Sequence, residues 1–417
     1  MADLTLKNAR WLAPDGRFQD GTLVIREGVL RLSEPPHERA PVLDAAGMRV
    51  VPGAIDSHTH LREPGQEQKE GIERGTRAAL AGGVTTVLDM PNNAPPIDSE
   101  ERLAAKRKLF AQRSRVNYGL HVQAPYQGAG RGYASAKIYL ARSSALPALG
   151  PGSLQEVFRA HRCVTVHAED ESGFLPASGF PGQPRSHHLQ RPRAAVTSAL
   201  AAVENALGSI PFKERPRLVL CHVSTAEELA WLEHVKSMGW DVWGETCPHY
   251  WRLTEDDYVR VGPQLKVNPP LRTQADVDAL LSALAVGPID FISTDHAPHL
   301  PQEKADEASA PSGIPGLEWY LPLVLELVES GRIGWSRFLE LTSRNAARCF
   351  GLAGRGLIKE GMRADLALVS RRPGAPKPAL ITGAGYDPYP DAAFSWCVER
   401  TIVNGRIEGQ AGEEVVT

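Results

Sequence analysis

Two histidines separated by one residue follow an apolar stretch early in the chain. Residues 51–57 predict a buried strand, and His58 and His60 come at its end. Because alternate residues of a strand point to the same face, both imidazoles can bind one metal ion from one side. Arg62 could continue that face and bind an anionic substrate. The structural alternative is a pair of surface histidines at the end of a strand.

Four further residues with metal-ligand or acid–base side chains lie near the ends of other predicted strands. They are Lys137, His167, His222 and Asp295. A single histidine near a strand end is usually a hydrogen-bonded core residue. Several such residues at the same end of different strands are hard to explain by packing alone. Together with the histidine pair, they therefore indicate one functional site.

Lys137 interrupts an apolar strand, where an unpaired ammonium would be costly. Two structural explanations are a nearby acidic partner and a side chain that extends to solvent. The functional explanation is that burial favours the neutral amine, which could add carbon dioxide and become a carbamate. A carbamate could bridge two cations about 3.5–4 Å apart. Four histidines, the carbamate and one aspartate would complete a site for two divalent metal ions; zinc suits these ligands, and manganese or cobalt stays open.

Predicted strands alternate with predicted helices through the middle of the chain. The eight strand candidates are 54–60, 84–90, 116–122, 136–140, 163–169, 218–224, 241–247 and 290–296. This alternation predicts an α/β fold, a (β/α)8 TIM-type barrel, in which functional sites lie at the C-terminal ends of the strands. The alternative is an open doubly wound sheet.

Short predicted strands separated by turn residues occupy both ends of the chain. We expect them to pair as a small β-sandwich domain built from residues 1–51 and 352–417. The catalytic barrel would then extend over residues 52–351.

The composition of the chain limits which binding partners and which cellular compartment are expected. The chain has 417 residues and a net charge of −3, which gives no electrostatic case for binding nucleic acid or a membrane surface. No apolar run reaches membrane-spanning length, and the first residues lack the basic and apolar segments of a signal peptide. Five cysteines without a Cys-x-x-Cys pair are typical of reduced thiols, so we expect a cytoplasmic protein.

Three segments resemble signature motifs of the dihydroorotases, which are cyclic amidases of the amidohydrolase superfamily. They are Asp56-Ser-His-Thr-His-Leu-Arg-Glu-Pro-Gly65, Gly83-Val-Thr-Thr-Val-Leu-Asp-Met-Pro-Asn-Asn93 and Asp295-His-Ala-Pro-His299. The shorter segments 267–272 and 311–316 also fit. The resemblance extends over essentially the whole chain. The first and third motifs are specific by themselves, and the set together is highly specific.

The resemblance implies a set of metal ligands. They are His58, His60 and Asp295 for the more buried ion, and His167 and His222 for the second ion. Carboxylated Lys137 would bridge both ions together with a hydroxide. Some bacterial dihydroorotases have an aspartate in place of this lysine. This chain has Lys137 before Ile-Tyr, as in the lysine-bearing branch, which favours the carbamate.

The resemblance also implies a substrate and a reaction. The implied substrate-binding residues are Arg62, Asn92, Asn268 and His299. The reaction would be the reversible hydrolysis of L-dihydroorotate to N-carbamoyl-L-aspartate in de novo pyrimidine synthesis. Two cations would lower the pKa of a bridging water, and Asp295 would accept its proton and pass it to the leaving nitrogen. Arg62 would pair bidentately with the substrate carboxylate. A homodimer and association with other enzymes of the pathway are further expectations.

Two other functions stay open. Allantoinase, dihydropyrimidinase and hydantoinase are cyclic amidases that share the metal ligands. Arg62 and Asn92 distinguish a dihydroorotase from these enzymes, because an uncharged ring needs no guanidinium partner. The second alternative is a non-catalytic, dihydroorotase-like scaffold that binds a partner enzyme. Such a scaffold would be expected to have lost at least one metal ligand, and this chain has them all.

The sequence also predicts roles for one long loop and for the histidines outside the site. Residues 299–316 form a long segment that is predicted to be a lid, with a variable surface loop as the alternative. His249, at the end of the seventh strand, could support a ligand. The histidines predicted to be solvated are His37, His161, His187, His188 and His234.

Overall fold

A computed structural model describes residues 3–36, 38–128, 131–142, 148–183, 185–407 and 412–415 of the chain. Its strands are β1 (Leu4–Leu12), β2 (Phe18–Arg26), β3 (Val29–Leu30), β4 (Val42–Asp44), β5 (Arg49–Pro52), β6 (Ala54–Thr59), β7 (Val84–Asp89), β8 (Asn117–Leu120), β9 (Val122–Gln123), β10 (Ala136–Tyr139), β11 (Cys163–His167), β12 (Arg217–Leu220), β13 (Val242–Thr246), β14 (Ile289–Ile292), β15 (Leu366–Ala375), β16 (Phe394–Val403) and β17 (Arg406–Ile407).

The helices lie mainly between the central strands. They are α1 (Ile72–Ala81), α2 (Glu100–Arg113), α3 (Leu154–Ala160), α4 (His187–Gln190), α5 (Arg193–Gly208), α6 (Ala226–Ser237), α7 (Pro248–Arg252), α8 (Glu255–Val261), α9 (Gln274–Val286), α10 (Tyr320–Glu329), α11 (Trp335–Leu339) and α12 (Asn345–Cys349). Among the described residues, no helix is both long enough and apolar enough to cross a bilayer.

Strands β6 to β14 form the predicted barrel. All their pairings are parallel: β6, β7 and β8 are neighbours in order, and so are β9 to β14. The first and last strands meet through a parallel bridge between Thr59 and His296, and the His60 N–H donates to the His296 carbonyl at 2.8 Å. The (β/α)8 fold class is therefore confirmed, and the open sheet is excluded.

The third predicted strand is divided into β8 and β9 at His121. The buried His121 ring contacts the Ser57 carbonyl at 3.1 Å and the Ser135 hydroxyl at 2.7 Å. It thus joins three neighbouring strand regions inside the barrel. The division does not change the strand order, because β8 pairs with β7 and β9 pairs with β10.

Both chain ends build a separate eight-stranded sheet. Its order is β17-β16-β15-β5-β1-β2-β3, with β4 beside β1. Strand β5 leads directly into β6 through Gly53, where a Cβ would lie 2.2 Å from the Thr85 side chain. Only glycine fits this close approach. The prediction that the two ends form one β-structure is confirmed, while the exact division at residues 52 and 351 stays a prediction.

Candidate active site

The C-terminal ends of the barrel strands surround a cavity of about 300 Å³. The residues that line it are His58, His60, Arg62, Asn92, Tyr139, Arg142, His167, His222, Asn268, Asp295, Ala297, Pro311, Ser312 and Gly313. Eight of the ten candidate residues from the sequence are in this set. The other two, Lys137 and His299, are buried next to it. The structure thus brings all ten candidates together.

The first group of metal donors consists of His58, His60 and Asp295. The Asp295 Oδ1 lies 3.3 Å from the Nε2 of His58 and 3.1 Å from the Nε2 of His60. The opposite ring nitrogen of His58 lies 2.7 Å from the Glu245 carboxylate, and that of His60 lies 2.6 Å from the Asn92 side-chain oxygen. Acceptors at both Nδ1 atoms favour Nδ1–H tautomers, which direct the Nε2 lone pairs towards one position.

The second group of donors consists of His167 and His222. The His167 Nδ1 and the His222 Nε2 lie 3.0 Å apart. The other nitrogen of His167 lies 3.0 Å from the Glu169 carboxylate, which Arg191 holds through two hydrogen-bonding nitrogens. This partner fixes the orientation of the His167 ring. The pair can present two imidazole nitrogens to one ion.

Lys137 lies between the two groups, on β10, and is fully buried. Its Nζ is 3.1 Å from the Cys221 sulfur and 5.1 Å from the centre of the Tyr139 ring. Within the described ranges, it has no carboxylate partner within 4.0 Å, and its side chain does not reach solvent. Neither structural explanation from the sequence describes this environment, in which the Lys137 side chain is buried beside both donor groups without an acidic partner among the described residues.

The electrostatics of the cavity also fit a cation. Burial lowers the pKa of His60 to about 4 and holds that of His222 well below its usual range, so both rings are neutral. Burial opposes protonation of His58 as well, but Asp295 and Glu245 outweigh it and raise its pKa to about 10. The two acids thus favour positive charge at this position. A divalent cation would supply that charge, so the donor set fits a metal site.

Three cavity residues have unusual backbone conformations. Arg62, His222 and Asp295 have φ angles of 63°, 41° and 47°, in the left-handed region. Such conformations are uncommon for non-glycine residues and concentrate at functional sites. Each of these residues follows the end of a barrel strand, where the chain turns to present its side chain to the cavity.

Arg62 gives the cavity a buried cation. Its side chain is 4% exposed, and no carboxylate lies within 4.0 Å of it in the part of the chain that the structure describes. The Arg62 Nε donates to the Pro298 carbonyl at 3.3 Å, and one terminal nitrogen lies 3.0 Å from the His299 Nε2. A buried guanidinium without a protein anion is costly unless a ligand supplies one. The cavity is therefore suited to an anionic ligand.

Asn268 and residues 311–313 of the loop 299–316 also line the cavity. The Asn268 side-chain oxygen lies 2.9 Å from the His187 Nε2 and accepts from the Ser312 hydroxyl at 3.0 Å. The buried Lys304 donates to three backbone carbonyls, two of them in this loop. The loop is thus packed over the site, and its movement as a lid stays a prediction.

The prediction that His187 and His161 are solvated is wrong. His187 is buried because α4 folds onto the segment at Asn268. His161 is buried against the Tyr133 hydroxyl, 2.6 Å from its Nδ1. His188 is half-buried and His234 is exposed, whereas His37 lies outside the described residues.

Sequence reasoning missed several residues that hold or line the site. They include Glu169, Glu245, Cys221, Tyr139, Arg142, Lys69 and Ser312. Glu245 carried a usable signal, because it is an acid inside an apolar strand, like Lys137. Ser312 lies in the segment 311–316 that fits the resemblance, but no role was assigned to it, and Lys69 lies in a polar segment without periodicity and carried no signal.

Comparison with known proteins places the chain among cyclic amide hydrolases. A family model described as the amidohydrolase family matches residues 49–407. A dihydroorotase of Endomicrobium trichonymphae is 34% identical over 385 residues, which cover 88% of this chain and 90% of that protein. An allantoinase of Rubrobacter xylanophilus is 35% identical over 399 residues, covering 89% and 87%. The L-hydantoinase (dihydropyrimidinase) of Arthrobacter aurescens shares the fold, with a TM-score of 0.88, 24% identity and coverage of 100% and 98%.

Proposed function

The chain belongs to the amidohydrolase family, and we propose that it is a dihydroorotase. It would catalyse the reversible hydrolysis of L-dihydroorotate to N-carbamoyl-L-aspartate. A cytoplasmic location, a homodimer and association with other pyrimidine-pathway enzymes belong to the same proposal. The coarser activity, hydrolysis of a cyclic amide in a small molecule, is common to the relatives of this chain.

The observation that carries the choice of substrate is the unpaired, buried Arg62 beside the metal-donor groups. Dihydroorotate carries a carboxylate on its ring, and a guanidinium binds a carboxylate through two parallel hydrogen bonds. Hydantoin, dihydrouracil and allantoin carry no carboxylate, so each would leave this cation unpaired in the cavity. His299, 3.0 Å from Arg62, can add a further donor.

The metal-donor groups suit two zinc ions. His58, His60 and Asp295 would hold one ion, His167 and His222 the other, and Lys137, as a carbamate, would lie between them. Two bound cations would supply a water with a lowered pKa and polarise the amide carbonyl.

Asp295 is the group that moves the proton. Its Oδ1 lies at the meeting point of His58 and His60, at the mouth of the first donor group. The imidazoles hold the pKa of this carboxyl well below its usual range, against the effect of burial, so it is an anion that can accept a proton from water. It then returns the proton to the nitrogen that leaves the ring.

A hydrolase of an uncharged ring is the second candidate, because an allantoinase is as similar to this chain as the dihydroorotases are. The two candidates differ in their need for Arg62. An allantoinase would gain nothing from it, whereas a dihydroorotase would lose its carboxylate partner when Arg62 is replaced.

The test is a substrate panel with the zinc-loaded protein: dihydroorotate, dihydrouracil, hydantoin and allantoin. We expect turnover of dihydroorotate, with kcat/KM reduced about 100-fold in Arg62→Met, since two hydrogen bonds to a charged group are lost. Arg62→Lys is the matched control; it keeps the charge without the bidentate geometry and should retain more activity. Preference for an uncharged ring would overturn the assignment. No turnover of any ring, with two metals bound, would favour a non-catalytic scaffold.

A further inference from the structure

We propose that Lys69 is a positioning residue that holds His299 in its Nε2–H tautomer and thereby frees Arg62 for the substrate anion. This inference rests on the proposed function for the identity of that anion. Lys69 itself does not line the cavity; it acts through His299.

His299 lies between two cationic side chains. Its Nδ1 is 3.1 Å from the Lys69 Nζ, and its Nε2 is 3.0 Å from a terminal nitrogen of Arg62. The Nε2 is also 3.1 Å from the Ser312 carbonyl oxygen. Lysine and arginine side chains have only donors, and a neutral imidazole has one donor and one acceptor. The ring can therefore accept from only one of the two cations.

The ring is neutral. Burial, and then the charges of Arg62, Lys69 and Lys304, hold the pKa of His299 far below its usual range. Lys69 is in turn held by Glu303, whose carboxylate lies 2.9 Å from the Lys69 Nζ. A lysine ammonium has three donors and no acceptor, so Lys69 can only donate to the His299 Nδ1.

The two tautomers of His299 satisfy different numbers of groups. In the Nε2–H form, Lys69 donates to Nδ1 and Nε2 donates to the Ser312 carbonyl, which gives two hydrogen bonds. In the Nδ1–H form, only Arg62 donates to the ring. The new Nδ1–H would then face the Lys69 donors, and the Glu303 oxygen at 3.9 Å is too distant to accept it. The Nε2–H form is therefore the more stable tautomer.

The consequence concerns Arg62. In the Nε2–H form, the terminal nitrogen of Arg62 and the His299 Nε2 are two donors 3.0 Å apart. The ring nitrogen that faces Arg62 carries a proton and cannot accept a hydrogen bond from it. An anionic oxygen that accepts from both would satisfy this pair. Without Lys69, the ring can switch and accept from Arg62, and that donor is lost to the substrate.

The experiment is long-range ¹H–¹⁵N NMR of the histidine side chains in the full-length protein, where the pattern of Nδ1 and Nε2 shifts reports the tautomer. The signal of His299 is assigned by its loss in His299→Gln. We expect the Nε2–H pattern in the wild type, retention in Lys69→Arg, and conversion or exchange averaging in Lys69→Met. Lys108→Met, at an exposed position of α2, is the matched control.

Kinetics complete the test. We expect Lys69→Met to raise KM for dihydroorotate about tenfold, with kcat within about twofold, since one charge-assisted hydrogen bond is weakened. An Nδ1–H pattern in the wild type, or an unchanged pattern in Lys69→Met, would overturn the proposal. The wild-type spectrum decides even if the variant does not fold. Because the spectrum needs no turnover, it stands apart from the substrate panel: a different substrate would refute the dihydroorotase and leave the tautomer result intact.

Discussion

The floor and the rim of the cavity are built on different principles. The floor, at the strand ends, consists of His58, His60, Lys137, His167, His222 and Asp295. The rim lies on connecting segments: Arg62 and Ser312 line the cavity, and His299, Lys69 and Glu303 form the chain of contacts that supports Arg62. The floor combines four imidazoles with a lysine and one acid, whereas the rim carries the cations Arg62 and Lys69, of which Lys69 pairs with Glu303.

This difference separates chemistry from selectivity. In the proposed mechanism, a floor that holds metal ions would act on any cyclic amide, because the scissile bond is the same in every ring. The rim contacts what differs between the rings, namely a carboxylate or its absence. Loops that change without disturbing the strands are how one barrel acquires many substrates. Replacements in the floor should therefore affect all rings alike, and replacements in the rim should affect one class.

The largest effect is expected for Asp295→Asn, in the floor. In the proposed mechanism this change removes the general base and acid, which should lower kcat by about 10²–10⁴-fold. The loss should be equal for every ring that the wild type hydrolyses, measured as the ratio of kcat values for at least two substrates. Asp306→Asn, in the exposed part of the loop, is the control. A loss confined to carboxylate-bearing rings would contradict the distinction between floor and rim, because Asp295 would then determine substrate selectivity, as the rim is expected to do.

A smaller effect is expected for Glu245→Gln, behind the floor. The Glu245 carboxylate lies 2.7 Å from the His58 Nδ1 and accepts from the Ser57 hydroxyl at 2.9 Å. Loss of its charge should weaken metal binding about 10- to 100-fold. Competition with a chelator, followed by metal analysis, measures this directly. Glu233→Gln, on the exposed face of α6, should leave affinity unchanged; equal affinity in both variants would show that Glu245 does not orient a ligand.

Sequence reasoning reached the floor more completely than the rim. His58, Lys137 and Asp295 are polar residues at positions where strand patterns demand apolar ones, and the barrel fold then brings strand ends together. Glu245 follows the same rule and could have been found. The tautomer of His299 could not, because it depends on Lys69, which lies in a segment without periodicity.

His187 shows why loop-borne contacts escape prediction. Its burial depends on how the short helix α4 packs against Asn268, about 80 residues later in the chain. No local sequence pattern predicts this contact between α4 and Asn268. The strand alternation fixed the barrel, whereas tertiary packing alone decided which loop histidines are solvated.

The rim should also be less stable than the floor, which Lys304→Met tests. The Lys304 ammonium donates to the carbonyls of Lys266, Pro311 and Gly313 at 2.8–3.0 Å. Methionine removes this donor from all three carbonyls, of which that of Lys266 keeps the Gly313 N–H at 2.8 Å, so the loop should open more often. We expect amide hydrogen exchange in residues 299–313 to accelerate at least about tenfold, with KM raised.

The control for this variant lies within the same molecule. Amides of β6 and β12, which carry the floor, should keep their exchange rates. Equal acceleration of amide exchange in the loop and in these strands would show that they open as one unit. The rim would then not be less stable than the floor.

The last effect, on folding stability rather than on activity, concerns a buried acid that supports the floor. Glu228 on α6 accepts four hydrogen bonds at one oxygen, from the backbone and hydroxyl groups of Ser224 and Thr225, just after His222. Burial raises its pKa to about 7, from an ordinary value of 4.5. Between these values, the folded protein holds a proton that the unfolded chain has released. Stability should therefore fall as the pH rises from about 4.5 to 7, by up to about 1.4 kcal/mol per pH unit.

Glu228→Gln removes this titration without removing the acceptor, because the amide oxygen can replace the one oxygen that the four donors use. Urea unfolding at several pH values should show that wild-type stability, relative to the variant, declines up to about pH 7 and is flat above it. An increase with pH instead would mean that the acid is held as an anion. The four donors would then outweigh burial, and the floor would rest on a charge rather than on a neutral, hydrogen-bonded support.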